Sequence, residues 1–289
     1  MKDHFEKDES SPLIICLAPT GMVPTRERTP HVPLQPNEIV RDVIEAARLG
    51  ITMVHLHARD EHGHPTYRKE VFAQIIEGIR ESFPDLIINV SCSGRNFKTL
   101  EQRADVLNLD GDLRPDMASL TVSSLNFSRQ ASVNEPQMVL ALAQRMLERG
   151  IVPEFEIFDL GMANYTRYLV EKLGLKTPIY ANIMLGNIAS AQADLLSIAA
   201  ISHALPAGTL WGLGGIGNAQ ISVTALAAAM APAVRVGLED NLWLDRSRSQ
   251  LTTNRDMVER LHQLATLSNR TVMKPADLRA RLHLPGRRG

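Results

Sequence analysis

The chain has only two cysteines in 289 residues, Cys16 and Cys92. Each lies in an apolar run that reads as a strand. Two scattered thiols exclude a disulfide framework and a Cys-rich zinc motif, and the expected role of both is that of small buried hydrophobes. Long apolar runs are also missing. No stretch approaches the ~18 uninterrupted apolar residues of a membrane helix, so no membrane partner is expected. The first residues, MKDHFEKDESSP, are polar and lack the apolar centre of a secretory signal. Nor is there an excess of charge of either sign. Lys plus Arg is 31 and Asp plus Glu is 32, a formal net charge of -1. That balance excludes a protein held by bulk attraction to nucleic acid, though it leaves room for a local anion pocket. No Pro/Gly/Ser-rich linker or low-complexity segment divides the chain. A 44% hydrophobic chain of this length orders without staples, and the expectation is a soluble, cytoplasmic, globular protein.

What is present is a regular alternation. Residues 1–12 read as a loose tail. From there to residue 285, apolar β-rich runs cover Leu13–Pro19, Ile51–Ala58, Asp85–Ser93, Met117–Ser124, Val152–Asp159, Pro178–Leu185, Thr209–Gly217 and Ala233–Asp240. Helical patterns lie between and after them: Asn37–Leu49, Lys69–Ser82, Thr99–Leu107, Glu135–Arg149, Gly161–Leu173, Ser190–His203, Gln220–Ala231 and Asn254–Ser268. In the first helix Ile39, Val40, Val43, Ile44 and Ala47 recur at helical spacing, with Asn37 as N-cap and Gly50 as the stop. Asn134-Glu135-Pro136 places a cap and a proline at another start, and Gly150 ends that helix. Strands joined by single helices imply right-handed crossovers and a parallel sheet. Eight such units fit a single-domain (β/α)8 TIM barrel. An open doubly wound sheet is the competing architecture.

The sharpest chemical signal is His55-Leu56-His57. Alternation along a strand puts both imidazoles on one face, at the strand's C-terminal end, where a barrel carries its active site. Two neutral imidazoles at that spacing can bind one divalent metal. Glu239 and Asp240 close the eighth strand on the same rim, and a carboxylate there completes a set that leaves a coordination position open. Without thiolates, Mn, Co, Ni and Fe are also admissible beside zinc. Arg235 shares a strand face with Glu239 and is suited to a substrate carboxylate or to orienting an acid. Ser91, Ser93 and Gly94 end the third strand, with Arg95 available for an anion. No G-x-S-x-G elbow surrounds Ser91. Gly212–Gly217 formally matches G-x-G-x-x-G, but only one strand follows it, which argues for a Gly-rich seventh strand over a dinucleotide site. Asp159 and Asn182 are secondary candidates for the cavity wall. His62 and His64 read as solvated, and the basic C-terminus LRARLHLPGRRG reads as a solvated tail.

These residues stand in segments that resemble the β-keto acid cleavage enzymes: APTGMVPTRERTPHVPLQPNEI, VHLHARDEHGHPT, INVSCSG, PDMASLTVSSLNF, PEFEIFDLGM and VRVGLEDNLW. The resemblance runs from Pro12 to about Leu284. It implies a metal-containing (β/α)8 barrel that converts a β-keto acid and acetyl-CoA into acetoacetate and a new acyl-CoA. It implies that His55, His57 and Glu239 hold zinc, that Asp240 is the base and that Arg235 is its charged partner. Ser91, Gly94 and Ser119 are the implied substrate contacts. A homo-oligomer, in many members a tetramer, is implied as well. One departure bears on the substrate: Val23 stands where the aminohexanoate-cleaving members carry an acidic residue, which argues against a cationic amino-keto acid. The alternatives are another metal-dependent barrel hydrolase or aldolase-type lyase without CoA, an NAD(P)-dependent oxidoreductase on the glycine run, and a metal-stabilised binding barrel without turnover.

Overall fold

The apolar runs form short strands whose two faces are both covered, as near-continuous burial requires. The computed structural model describes residues 11–285. The strands are β1 (Ile14–Leu17), β2 (Met53–Leu56), β3 (Ile87–Val90), β4 (Met117–Thr121), β5 (Val152–Ile157), β6 (Tyr180–Leu185), β7 (Leu210–Gly215) and β8 (Ala233–Val236). All pair in parallel with their sequence neighbours, and β8 returns to β1 with Cys16 opposite Arg235. That last pairing closes the barrel and excludes the open sheet.

The helices are α1 (Pro36–Leu49), α2 (Lys69–Ser82), α3 (Leu100–Ala104), α4 (Pro136–Glu148), α5 (Leu160–Leu173), α6 (Leu195–Ala204), α7 (Ala219–Met230), α8 (Asn254–Leu267) and α9 (Pro275–Arg281). Their apolar faces meet the outward side chains of the strands in one continuous core that includes Ile39, Val43, Ile75, Leu142 and Leu261. Two antiparallel hairpins stand on the C-terminal rim. Ala58–Arg59 pairs with Pro65–Thr66 after β2, and Leu125–Asn126 pairs with Ala131–Ser132 after β4.

Local expectations needed correction at several ends. Gln35, not Asn37, caps α1. Pro36 takes the first helical position, where no N–H is required, and the Glu38 carboxylate accepts the Gln35 and Leu34 N–H groups at 3.0 and 2.9 Å. Asp159 caps α5 by accepting the Met162 N–H at 2.8 Å. The helix expected from Ser190 begins at Leu195, because Asp194 caps it.

The larger correction concerns the C-terminal segment. Residues 1–10 of the expected tail and residues 286–289 lie outside the described residues, but Leu278 to Pro285 are no solvated tail. Leu278, Leu282 and Leu284 are buried with Met273 against Ile14, Met53, Ile87 and Tyr180, across the N-terminal floor of the barrel. Arg279 is 4% exposed and grips Asp116 through both carboxylate oxygens, at 2.8 and 2.9 Å, while donating to the Asp85 carbonyl. A planar guanidinium held on several acceptors explains how Arg279 is buried there, while Arg281 and His283 stay exposed.

Candidate active site at the barrel mouth

The sequence builds this site by turning chains sharply at strand ends. Gly237 closes β8 at φ +148, and a Cβ there would lie 2.0 Å from the Ala18 carbonyl oxygen. Only glycine allows that approach, and the turn returns Glu239 and Asp240 to the mouth. Gly21, at φ +64, lies against the same turn: a Cβ on it would meet Glu239 Cγ at 2.5 Å. Arg59, buried just after the two histidines, donates to the carbonyls of Gly21, Pro24 and Gly63 at 2.9, 3.1 and 3.0 Å and pins this rim loop.

His55 and His57 converge as alternation requires, with their Nε2 atoms 3.2 Å apart. Glu239 joins them: Oε1 is 3.2 Å from His57 Nε2, and Oε2 is 3.9 Å from His55 Nε2. The three donors fit a shared divalent ion. Glu239 Oε2 is buried without a hydrogen-bond partner, and the donor atoms all lie within 4.8 Å of one another. Burial pushes His57 down to about 4, so it is the neutral imidazole that a metal needs. Behind His55, Glu154 Oε2 lies 3.4 Å from Nδ1 and orients the ring, leaving Nε2 for the ion. Glu154 in turn accepts from the amides of Asn89 and Asn182. Asn182 therefore supports the ligands from inside the barrel.

Arg235 organises the acids. Its guanidinium reaches Asp240 at 2.9 Å, Glu239 at 2.8 Å and Glu156 at 3.5 Å. Burial opposes its charge, but the three carboxylates outweigh that and raise its pKa. Burial raises Asp240 above the ordinary aspartate range, with Arg235 pulling the other way. Glu239 goes in the opposite direction: burial opposes its charge, yet His57 and Arg235 hold it ionised. Two adjacent carboxylates thus differ in proton affinity, one a permanent anion and the other able to take up a proton.

The mouth opens into a cavity of about 530 Å³ whose wall includes Val23, Ser91, His57, Glu156, Glu239 and Asp240. Ser119 is buried one layer down, accepting the Cys92 N–H at 3.4 Å. Gly94 packs against Val133, Arg103 and Asn134, where a Cβ would lie 2.5 Å from the Val133 carbonyl oxygen. His62 and His64 are exposed on the rim hairpin. The glycine run packs as a strand. A Cβ on Gly212 would meet the Asn182 amide at 2.8 Å, one on Gly214 the Met184 sulfur at 2.6 Å, and one on Gly215 the backbone of Gln220 at 2.5 Å. These three glycines admit neighbouring protein atoms, whereas Gly217, at the end of the run, has nothing within 4 Å of an added Cβ and lines the cavity. Glu154 and Glu156 were not singled out from sequence. Their signal was available, since Pro-Glu-Phe-Glu-Ile in an apolar strand carries the same alternation as His-Leu-His.

A closed barrel that gathers two imidazoles, a carboxylate and an arginine-held aspartate at its C-terminal mouth has the layout of a barrel enzyme's active site. Comparison with known proteins narrows the class. The chain belongs to the beta-keto acid cleavage enzyme family, whose sequence model matches residues 12–284. It is 35% identical to the 3-keto-5-aminohexanoate cleavage enzyme of Fusobacterium nucleatum subsp. nucleatum over 274 residues, 94% of this chain and 98% of that one. It is 33% identical to the 3-oxoadipate:acetyl-CoA acetyltransferase of Cupriavidus necator over 280 residues, 96% of each. Among solved structures, the apo structure of ObcA superposes with a TM-score of 0.77 at 19% identity, over 88% of this chain and 66% of that longer one, a likeness of fold. No helix among the described residues is long and apolar enough to cross a membrane.

Proposed function

We propose that this chain condenses a β-keto acid with acetyl-CoA and releases acetoacetate and a new acyl-CoA. The observation that carries the reading is the Arg235–Asp240 pair standing beside the His55, His57 and Glu239 donors on one cavity, in a chain of this family. The names of the relatives, which include a 3-oxoadipate:acetyl-CoA acetyltransferase and a 3,5-dioxohexanoate:acetyl-CoA acetone transferase, support the use of acetyl-CoA. His55, His57 and Glu239 would hold a divalent ion, zinc being the one best matched to two imidazoles and a carboxylate, and it would supply Lewis acidity toward a keto acid bound beside them.

The residues do the rest. Asp240, with its raised proton affinity, takes a proton from the carbon between the two carbonyl groups. Arg235 holds that carboxylate in place, donating to it at 2.9 Å. The resulting carbanion bonds to the acetyl carbonyl and expels the CoA thiolate. The thiolate then attacks the original keto carbon. The bond between that carbon and its neighbour breaks, giving the new acyl-CoA, and Asp240 returns its proton to acetoacetate. Ser91, on the cavity wall, and Arg235 face the developing oxyanions. Replacing Asp240 by Asn keeps the shape and removes the base. In an assay of acetoacetate formed from acetyl-CoA and a panel of β-keto acids, kcat falls by about 10²–10⁴-fold with metal content unchanged. Near-full turnover by that variant refutes the assigned base.

A further inference from the structure

The cavity at the barrel mouth is walled by acids and bases that do not balance one another. Its acids are Glu156, Glu239 and Asp240, and all three are engaged by the single guanidinium of Arg235. The same wall also carries Arg28, Arg95, Arg129 and Arg248. Among the described residues none of these four forms an ion pair, and the lining as a whole, five arginines against three carboxylates, carries a net positive charge. Arg28, Arg129 and Arg248 are exposed on the rim, whereas Arg95 is half-buried.

Arg95 is also the one of the four that is held by an aromatic ring. Its guanidinium carbon lies 3.8 Å from the centre of the Phe127 ring, and Phe127 is braced edge-on by Phe158 at 5.8 Å. The two loops that carry this pair are tied together again where Gln130 donates to Asn96 at 3.2 Å. Stacking on a ring face fixes the plane of a guanidinium while its edge N–H groups stay available, and that fork matches a carboxylate in two parallel bonds. Burial lowers the Arg95 pKa, and Glu239, Glu156 and Asp240 oppose the shift, so the side chain sits within the field of the reaction centre. Val23, on the same cavity, presents no charge of its own.

We propose that Arg95, laid on Phe127, receives a second carboxylate at the far end of the keto acid, which makes the substrate a dicarboxylic β-keto acid. This rests on the cleavage reading above, in which the first carboxylate and the keto group occupy the His55, His57 and Glu239 end of the cavity. The shared chemistry is that of an oxyanion, and the other source of one is a phosphate of CoA. The exposed rim arginines are placed for that bulkier polyanion.

The test compares 3-oxoadipate with 3-oxohexanoate, equal in chain length and differing in the terminal carboxylate, in native protein and in Arg95→Met and Arg95→Lys variants. Native protein favours the diacid in kcat/KM. The diacid-to-monoacid ratio falls roughly 10–100-fold in Arg95→Met, as loss of a charge-assisted pair requires, and less in Arg95→Lys. A native preference for the monoacid, or an equal loss on both substrates, overturns the proposal. So does a rise confined to KM for acetyl-CoA, which would assign Arg95 to a phosphate. Calorimetric titration with adipate and hexanoate, which do not react, separates this proposal from the reaction it rests on. If neither keto acid yields acetoacetate, the cleavage reading fails. The subsite then stands if adipate binds native protein more tightly than hexanoate and Arg95→Met abolishes the difference, and it falls if the two bind alike.

Discussion

Asp42 lies in α1, remote from the cavity, and its side chain is half-buried against the start of α8. Burial pushes its carboxyl up to about 7 from an ordinary value of 3.8, while the Asn254 amide, donating to it at 2.6 Å, only partly offsets the shift. The sign follows from proton counting. Between pH ~4 and ~7 the unfolded chain has lost this proton and the folded chain keeps it, so stability falls as pH rises through that window and is level above it. The raised pKa therefore corresponds to a penalty that grows to about 4 kcal/mol above pH 7. Asp42→Asn removes the ionisation and keeps the shape. Denaturant titrations at pH 5 and pH 8 should show the variant more stable than the native chain at both, with the advantage larger at pH 8 by roughly 2–3 kcal/mol. An advantage equal at the two pH values would mean that packing, not ionisation, is at issue. No advantage at pH 8 would refute the reasoning outright.

Three further outcomes are expected. Gly21→Ala forces a methyl into Glu239 at a left-handed backbone position and should cost about 1–3 kcal/mol, with looser metal retention in dialysis followed by elemental analysis. His57→Ala should drop bound metal to a small fraction of one ion per chain and abolish acetoacetate formation, and dialysis of native protein against a chelator should do the same reversibly on readdition of zinc. Arg279→Ala removes the grip on Asp116 and unseats the segment that covers the barrel floor. A loss of about 2–4 kcal/mol in thermal or denaturant unfolding checks it, and a loss below 0.5 kcal/mol would show that Leu278, Leu282 and Leu284 hold the floor without it.

Much of this is legible in the sequence. Strand and helix alternation specified the barrel, and the alternation rule alone put His55 and His57 on one face. The rim position of Glu239 and Asp240 followed from the topology. What was missed failed for physical reasons. Glu154 and Glu156 obey the same alternation, but acidic residues inside an apolar strand read as interruptions until a partner such as Arg235 or Asn182 is placed beside them. The burial of Leu278, Leu282 and Leu284 was hidden by the arginines between them. Leu278 and Leu282 stand four apart, the spacing of a helix face, and the charge of Arg279 is met by Asp116, far away in sequence. Asp42 looks like any solvent-side acid of an amphipathic helix, because what buries it is α8, a long-range neighbour.

The covered floor has a consequence for traffic. With the lower end covered by the last described segment, the cavity is reached from the upper rim, and under the proposed reaction both reactants would enter and both products leave by that rim. In that scheme a bound acyl-CoA would stand between the rim and anything seated deeper, so the larger product would have to clear before acetoacetate. Product inhibition patterns would carry the imprint of that queue.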